Sequence, residues 1–321
     1  MQRMTIILGA VLAGQLVLAG VLHMGDADSA HVGTASAPLA QFDSESINAI
    51  RIDGPGDASL KVERGDEGWR LPASDGYPAA QRSVDRLLQG LHGFDEPLPV
   101  ARSASARDRF RVGTDNYERR VRLVSDGKTV VTLFFGSSAG TGRVYARAKG
   151  QDMIHEVEFP LWHAATDVAK WRDDSLATVD PASVEQASFA DFLLRRGDDG
   201  KSWRVLSGEQ TLRTADTGAA AQLIQRMAQP KIESVSKQPP PDGEPTLRYT
   251  LSTSSGDEVS MDYYPANDGK AMLYVAGKPW RYTVADKQLA QIRQATPKTL
   301  VAGKSGGDGN ASKGDGKANA S

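Results

Sequence analysis

The sequence predicts an α+β fold built twice. It reads as two tandem repeats, each an antiparallel sheet of about four to six strands with one packed helix, preceded by a transmembrane helix. Three observations predict it. The phrase RGDEGWRL (Arg64–Leu71) returns as RGDDGKSWRVL (Arg196–Leu206). Each copy then carries one apolar stripe at helical spacing between runs of alternating polarity. The chain also opens on 19 residues without a charge, Met4–Leu22.

That opening segment is polar only at Thr5 and Gln15, and at 1.5 Å per residue it roughly matches the ~30 Å hydrocarbon core of a bilayer. Arg3 precedes it, and Asp26 and Asp28 follow it. The positive-inside rule then leaves the N-terminus in the cytoplasm and exports the bulk of the chain, which gives a single-pass membrane protein. A cleavable signal peptide is the rival reading, but its small-residue site, Ala35-Ser36-Ala37, lies far beyond the apolar run. Both readings export the domain. Residues 23–37 read as a polar tether.

The first repeat, with its connector, spans 38–174 and the second spans 175–302. PLAQFDSESINAIRI (Pro38–Ile52) aligns without a gap on SLATVDPASVEQASF (Ser175–Phe189), so Leu39, Ala40, Asp43 and Ser46 meet Leu176, Ala177, Asp180 and Ser183. A strand, a glycine turn and a strand follow in each copy, with Trp69 and Trp203 as apolar load on a strand face. Next come the helical stripes Ala80, Val84, Leu87, Leu88, Leu91 and Ala220, Leu223, Ile224, Met227. Hairpin runs complete each copy, punctuated by Ser125-Asp126-Gly127, Lys149-Gly150-Gln151, Ser255-Gly256-Asp257 and Ala276-Gly277-Lys278. Pro160–Asp174 reads as a short helical connector. From 303 to 321 the Gly, Ser, Lys, Asp, Asn and Ala residues offer nothing to bury, which predicts a disordered tail.

Composition excludes several functions. Lysine plus arginine number 38 against 40 acidic residues, a net charge of −2, so no field is available to hold nucleic acid. The absence of cysteine removes disulfides, thiol nucleophiles and thiolate metal sites. The five histidines, His23, His31, His92, His155 and His163, lack metal-ligand spacing. His163 and Asp167 stand one helical turn apart and read as a surface pair, with no Gly-x-Ser-x-Gly elbow beside them. GSSAGTGRVY (Gly136–Tyr145) is followed by a strand and not a helix, so it reads as a hairpin and not a phosphate loop. Asp66, Glu67, Asp198 and Asp199 read as turn residues. No catalytic, cofactor or metal residue is assigned. Arg107, Arg109 and Arg111 alternate, which predicts one face of an extended segment. That face is either solvated and paired with Asp115 and Glu118, or it docks an acidic partner or anionic head groups.

The stretch from Arg109 to Phe159, followed by WRDDSL, resembles a bacterial family called domain of unknown function 4340. The marks are Trp69 before a helix led by Pro78 and Ala79, the strand ending Phe135-Gly136, Val144-Tyr145-Ala146-Arg147, and Arg-Asp-x-x-Leu at Arg172–Leu176. The clearest likeness covers roughly 65–180, and Phe110-Arg111-Val112-Gly113 departs from the family's aromatic-Gly-Leu step. The family is similar to envelope proteins encoded beside ABC transporter components of the gliding type, and it has no established catalytic residues. The resemblance implies a non-enzymatic accessory protein whose partner is an ABC transporter permease or a related envelope protein. A stand-alone binder of envelope glycans or lipids is the alternative, and an envelope hydrolase built on scattered carboxylates is a third reading.

Overall fold

The computed structural model describes residues 38–94, 97–207 and 213–301. Among these no helix is long and apolar enough to cross a membrane. The expected span Met4–Leu22, the tether with His23 and His31, and the tail all lie outside the described residues.

The strands form two nine-stranded antiparallel sheets. The first holds β1 (Ala49–Asp53), β2 (Ser59–Gly65), β3 (Gly68–Leu71), β4 (Tyr77–Pro78), β5 (Leu98–Ala101), β6 (Arg119–Ser125), β7 (Lys128–Gly140), β8 (Arg143–Ala148) and β9 (Ile154–Glu158). Their order is β4-β3-β2-β1-β6-β7-β8-β9-β5. The second holds β10 (Val184–Ser188), β11 (Leu193–Arg196), β12 (Trp203–Leu206), β13 (Arg213–Thr214), β14 (Ile232–Ser236), β15 (Leu247–Thr253), β16 (Glu258–Pro265), β17 (Lys270–Val275) and β18 (Arg281–Ala285). Its order, β13-β12-β11-β10-β15-β16-β17-β18-β14, is the first with every strand advanced by nine. Each sheet has one twelve-residue helix between its fourth and fifth strands, α1 (Gln81–His92) and α3 (Thr217–Ala228). The expectation of four to six strands per repeat was too low, because β4 and β13 are two residues long and too short to alternate.

The duplication reaches individual hydrogen bonds. Asp43 Oδ1 accepts from the Glu45 amide at 3.0 Å, and the Ser46 hydroxyl donates to Asp43 O at 2.8 Å. The same bonds recur from Ala182 to Asp180 at 3.0 Å and from Ser183 to Asp180 at 2.8 Å. Ile50 faces Leu123 across β1 and β6, as Ala187 faces Leu251 across β10 and β15. Trp69 O accepts from the Ala79 amide and Trp203 O from the Ala215 amide, both at 2.8 Å. Both indoles are buried, as are all nine residues of the two helical stripes.

The chain forms two compact units that interleave in sequence. Among the described residues, one comprises those within 38–64 and 82–167, and the other those within 65–81 and 168–301. In the second unit Tyr77 stands against Trp280 and Tyr282, with ring centroids 4.9 and 6.0 Å away. Its hydroxyl donates to Asp173 O at 2.9 Å. The connector supplies three 3-10 turns, Leu161–Ala164, Val168–Lys170 and Asp174–Ala177, and no α-helix.

Candidate contact surfaces

The arginine segment is not extended. Ala104–Phe110 forms a helix, α2, whose N-cap Ser103 accepts the Ala106 amide, and Arg111 ends it in the left-handed region at φ 57°. About 200° of helical rotation then separates Arg107 from Arg109, so the three arginines share no strand face. Arg107 pairs with Asp152 and Arg111 with Glu118, while the Arg109 guanidinium lies 4.5 Å from the Phe110 ring centre. On β6, Arg120 and Arg122 both bind Asp53, at 2.9 and 2.8 Å.

Two residues fasten α2 to the sheet. A Cβ added at Gly136 would lie 1.9 Å from Phe110 O, so only glycine admits the end of the helix there. Arg147 is buried and donates to Val112 O at 2.8 Å and Gln151 O at 3.0 Å. Desolvation, then Arg107, pushes its pKa below the usual guanidinium range. The second sheet solves the same position differently. Phe135 pairs with Ala146 as Tyr263 pairs with Leu273, so Gly136 and Arg147 correspond to Tyr264 and Tyr274. Those two rings meet edge to face at 5.6 Å, and the Tyr274 hydroxyl donates to Pro239 O.

Among the described residues the exposed large apolar side chains are Leu98 (55%), Val100 (40%), Val130 and Trp162 (61%). Leu98 and Val100 are both exposed on β5, where the register shifts at Val100 between Pro99 and Ala101; β5 ends its sheet and pairs only with β9 among the described residues. Pro97 precedes Leu98 and Pro99 separates it from Val100, and proline is a residue that an edge strand tolerates. Trp162 carries the Arg86 guanidinium 4.9 Å from its ring centre and the His163 ring edge-on at 4.2 Å.

The remaining sequence candidates resolve as follows. Gly136–Tyr145 is the β7–β8 hairpin, turning through Gly142 at φ 71°. Asp167 lies beyond the 3-10 turn holding His163, so the one-turn spacing does not relate them. His92 Nε2 meets Ser44 Oγ at 2.8 Å, and its ring stacks on Phe42. His155 is fully buried on β9, and burial lowers its pKa. Asp199 accepts from the Lys201 and Ser202 amides and the Ser202 hydroxyl, which pulls its carboxyl down to about 2. No group of three or more His, Asp or Glu side chains among the described residues could hold a metal ion. Arg172, almost wholly buried, donates to Asp174 at 2.9 Å and to Ile232 O and Glu233 O at 2.9 and 3.2 Å.

The family "Domain of unknown function (DUF4340)" matches residues 69–252, more than half of the chain, and the chain belongs to it. The match begins at Trp69 on β3 and ends in β15, so it takes in parts of both repeats. No curated protein and no solved structure matches the chain. Three of the marks noted in the sequence, Gly136, Arg147 and Arg172, are now seen to hold main chain in place.

Proposed function

We propose that this protein works by contact, as a non-enzymatic accessory subunit of an ABC-type transport system. Its Met4–Leu22 segment holds it in the bacterial inner membrane with the sheets in the periplasm. The observation that supports contact is the exposure of Leu98 and Val100 on the end strand of the first sheet. Exposed aliphatic side chains beside an unshared strand edge suit a protein partner. The arginine segment lacks the extended face on which its docking role was read, because α2 is helical. The transporter permease as partner rests on the family likeness, and the topology on the Arg3 and Asp26 charges. Confinement to one membrane raises effective concentration, so a weak interface of this size suffices.

A photo-reactive residue placed at Val100 in the full-length protein tests the reading in intact cells. It should crosslink a transporter component, whereas the same probe at Val130 should not. Leu98→Lys with Val100→Lys should abolish the crosslinked product's partner in co-purification and shift unfolding by no more than about 0.5 kcal/mol. Recovery of no transporter component from Val100 overturns the transport assignment. A second reading, a stand-alone binder of envelope glycans, is favoured by the exposed Trp162 ring. Trp162→Ala would then remove binding to isolated envelope glycan and leave the crosslink intact.

A further inference from the structure

A crevice at the C-terminal end of α3 carries an inference independent of the contact surface. Its inner part encloses about 100 Å³ between α3 and the segment after β18, walled by Val284, Leu289 and Ile292 and bounded by Tyr263. It opens into a wider, shallower recess along the outer face of α3, and the two share Arg226, Gln229 and Lys231.

The donors in the interior are spent. The Tyr249 hydroxyl donates to Met227 O at 2.8 Å, so the bond at 3.0 Å between the two phenols uses the Tyr263 hydrogen. The inner chamber therefore offers apolar wall and no free O–H. Gln288 is also committed, accepting the Lys231 amide at 2.9 Å and donating to Lys231 O at 3.0 Å, which clamps one side of the rim. At the mouth the charges are all positive. Arg226 and Lys231 are exposed, and neither has an acidic partner within ion-pair distance among the described residues. They are not needed to cap α3. The carbonyls of Gln225, Met227 and Ala228 already accept from the Gln229 amide, the Tyr249 hydroxyl and the Val179 amide.

An apolar wall with no free hydroxyl, beside a cationic rim that also carries the Gln229 and Gln288 amides, suits one kind of ligand. We propose that this crevice binds a small amphipathic anion, with its short aliphatic end against Val284, Leu289 and Ile292 and its charged head between Arg226 and Lys231. A chamber of about 100 Å³ takes only a few carbon atoms, so chain length is limited. The head is a carboxylate or a phosphate monoester, which Arg226 can hold through two parallel N–H bonds.

The test uses the full-length protein in lipid nanodiscs, with empty nanodiscs as blank, and reads hexanoate, hexyl phosphate and hexanol by saturation-transfer NMR and calorimetry. At least one of the two anions should bind in the millimolar range or tighter, and the tighter one identifies the head group. Hexanol should bind roughly tenfold more weakly, because it lacks the charge. Arg226→Gln with Lys231→Gln changes only exposed groups, and it should weaken the anion roughly tenfold while leaving hexanol unchanged. Ile292→Phe, checked for an unchanged melt, should weaken all three by filling the chamber. Failure of both anions to bind, or binding indifferent to the double charge variant, overturns the proposal and leaves a solvent-filled crevice.

Discussion

Gly136 shows how a single residue ties sequence to local architecture. Its missing Cβ leaves room for Phe110 O, and the same carbonyl would meet any other side chain at 1.9 Å. Gly136→Ala should therefore cost about 1–3 kcal/mol in urea unfolding, the range for overpacked sites. If α2 instead lifts away from β7, the Arg147 bond to Val112 O breaks with it, leaving a buried charge with fewer acceptors. His155 makes a second residue-scale prediction. Burial depresses its folded pKa below the ordinary 6.5. His163 is lowered too, by burial and then by Arg86. The unfolded chain takes up these protons first, so stability is complete above about pH 6.5 and declines as pH falls toward the folded values. Urea midpoints at neutral and mildly acid pH should fall less for His155→Gln than for the wild type. An equal fall in both would remove His155 from this account. Neither the Gly136 contact nor the burial of His155 was legible in the sequence, since both depend on strands that meet only after folding.

At the scale of elements, legibility followed length and period. The stripes of α1 and α3 were readable because twelve residues hold several turns of a 3.6 period. The edge strands β4, β5, β13 and β14 were not, being short, proline-bearing or without strict alternation. The helix α2 was misread because arginine at every second position imitates a strand. The overlooked signal was Ser103, whose hydroxyl accepts the Ala106 amide at 3.2 Å and starts the helix. Ser103→Ala should cost about 1 kcal/mol, read from the unfolding midpoint. The paired tryptophans give a stronger test. Trp69 and Trp203 hold equivalent places on β3 and β12, so each change to alanine should destabilise by about 3–5 kcal/mol. A cost confined to one of them would break the equivalence of the two elements.

At the scale of the whole molecule, the repeat was legible and the interleaving was not. The echo of Arg64–Leu71 in Arg196–Leu206 reports ancestry, but it is silent on which compact unit Gly65–Gln81 joins. That stretch brings Tyr77 into a cluster with Trp280 and Tyr282, so residues 168–301 expressed without it should show earlier thermal unfolding than the same unit in the full chain. Equal melting would show that Tyr77 is dispensable there. The placement of Tyr77 also sets a clock on synthesis. Its ring partners are made roughly 200 residues later, an interval of about 10–40 s at ordinary elongation rates. Throughout that interval the nascent hairpin of β3 and β4 carries a tyrosine whose pocket does not yet exist. The second unit thus cannot close until nearly the last strand has been made, and the early hairpin is where a chaperone or a protease would find this chain open.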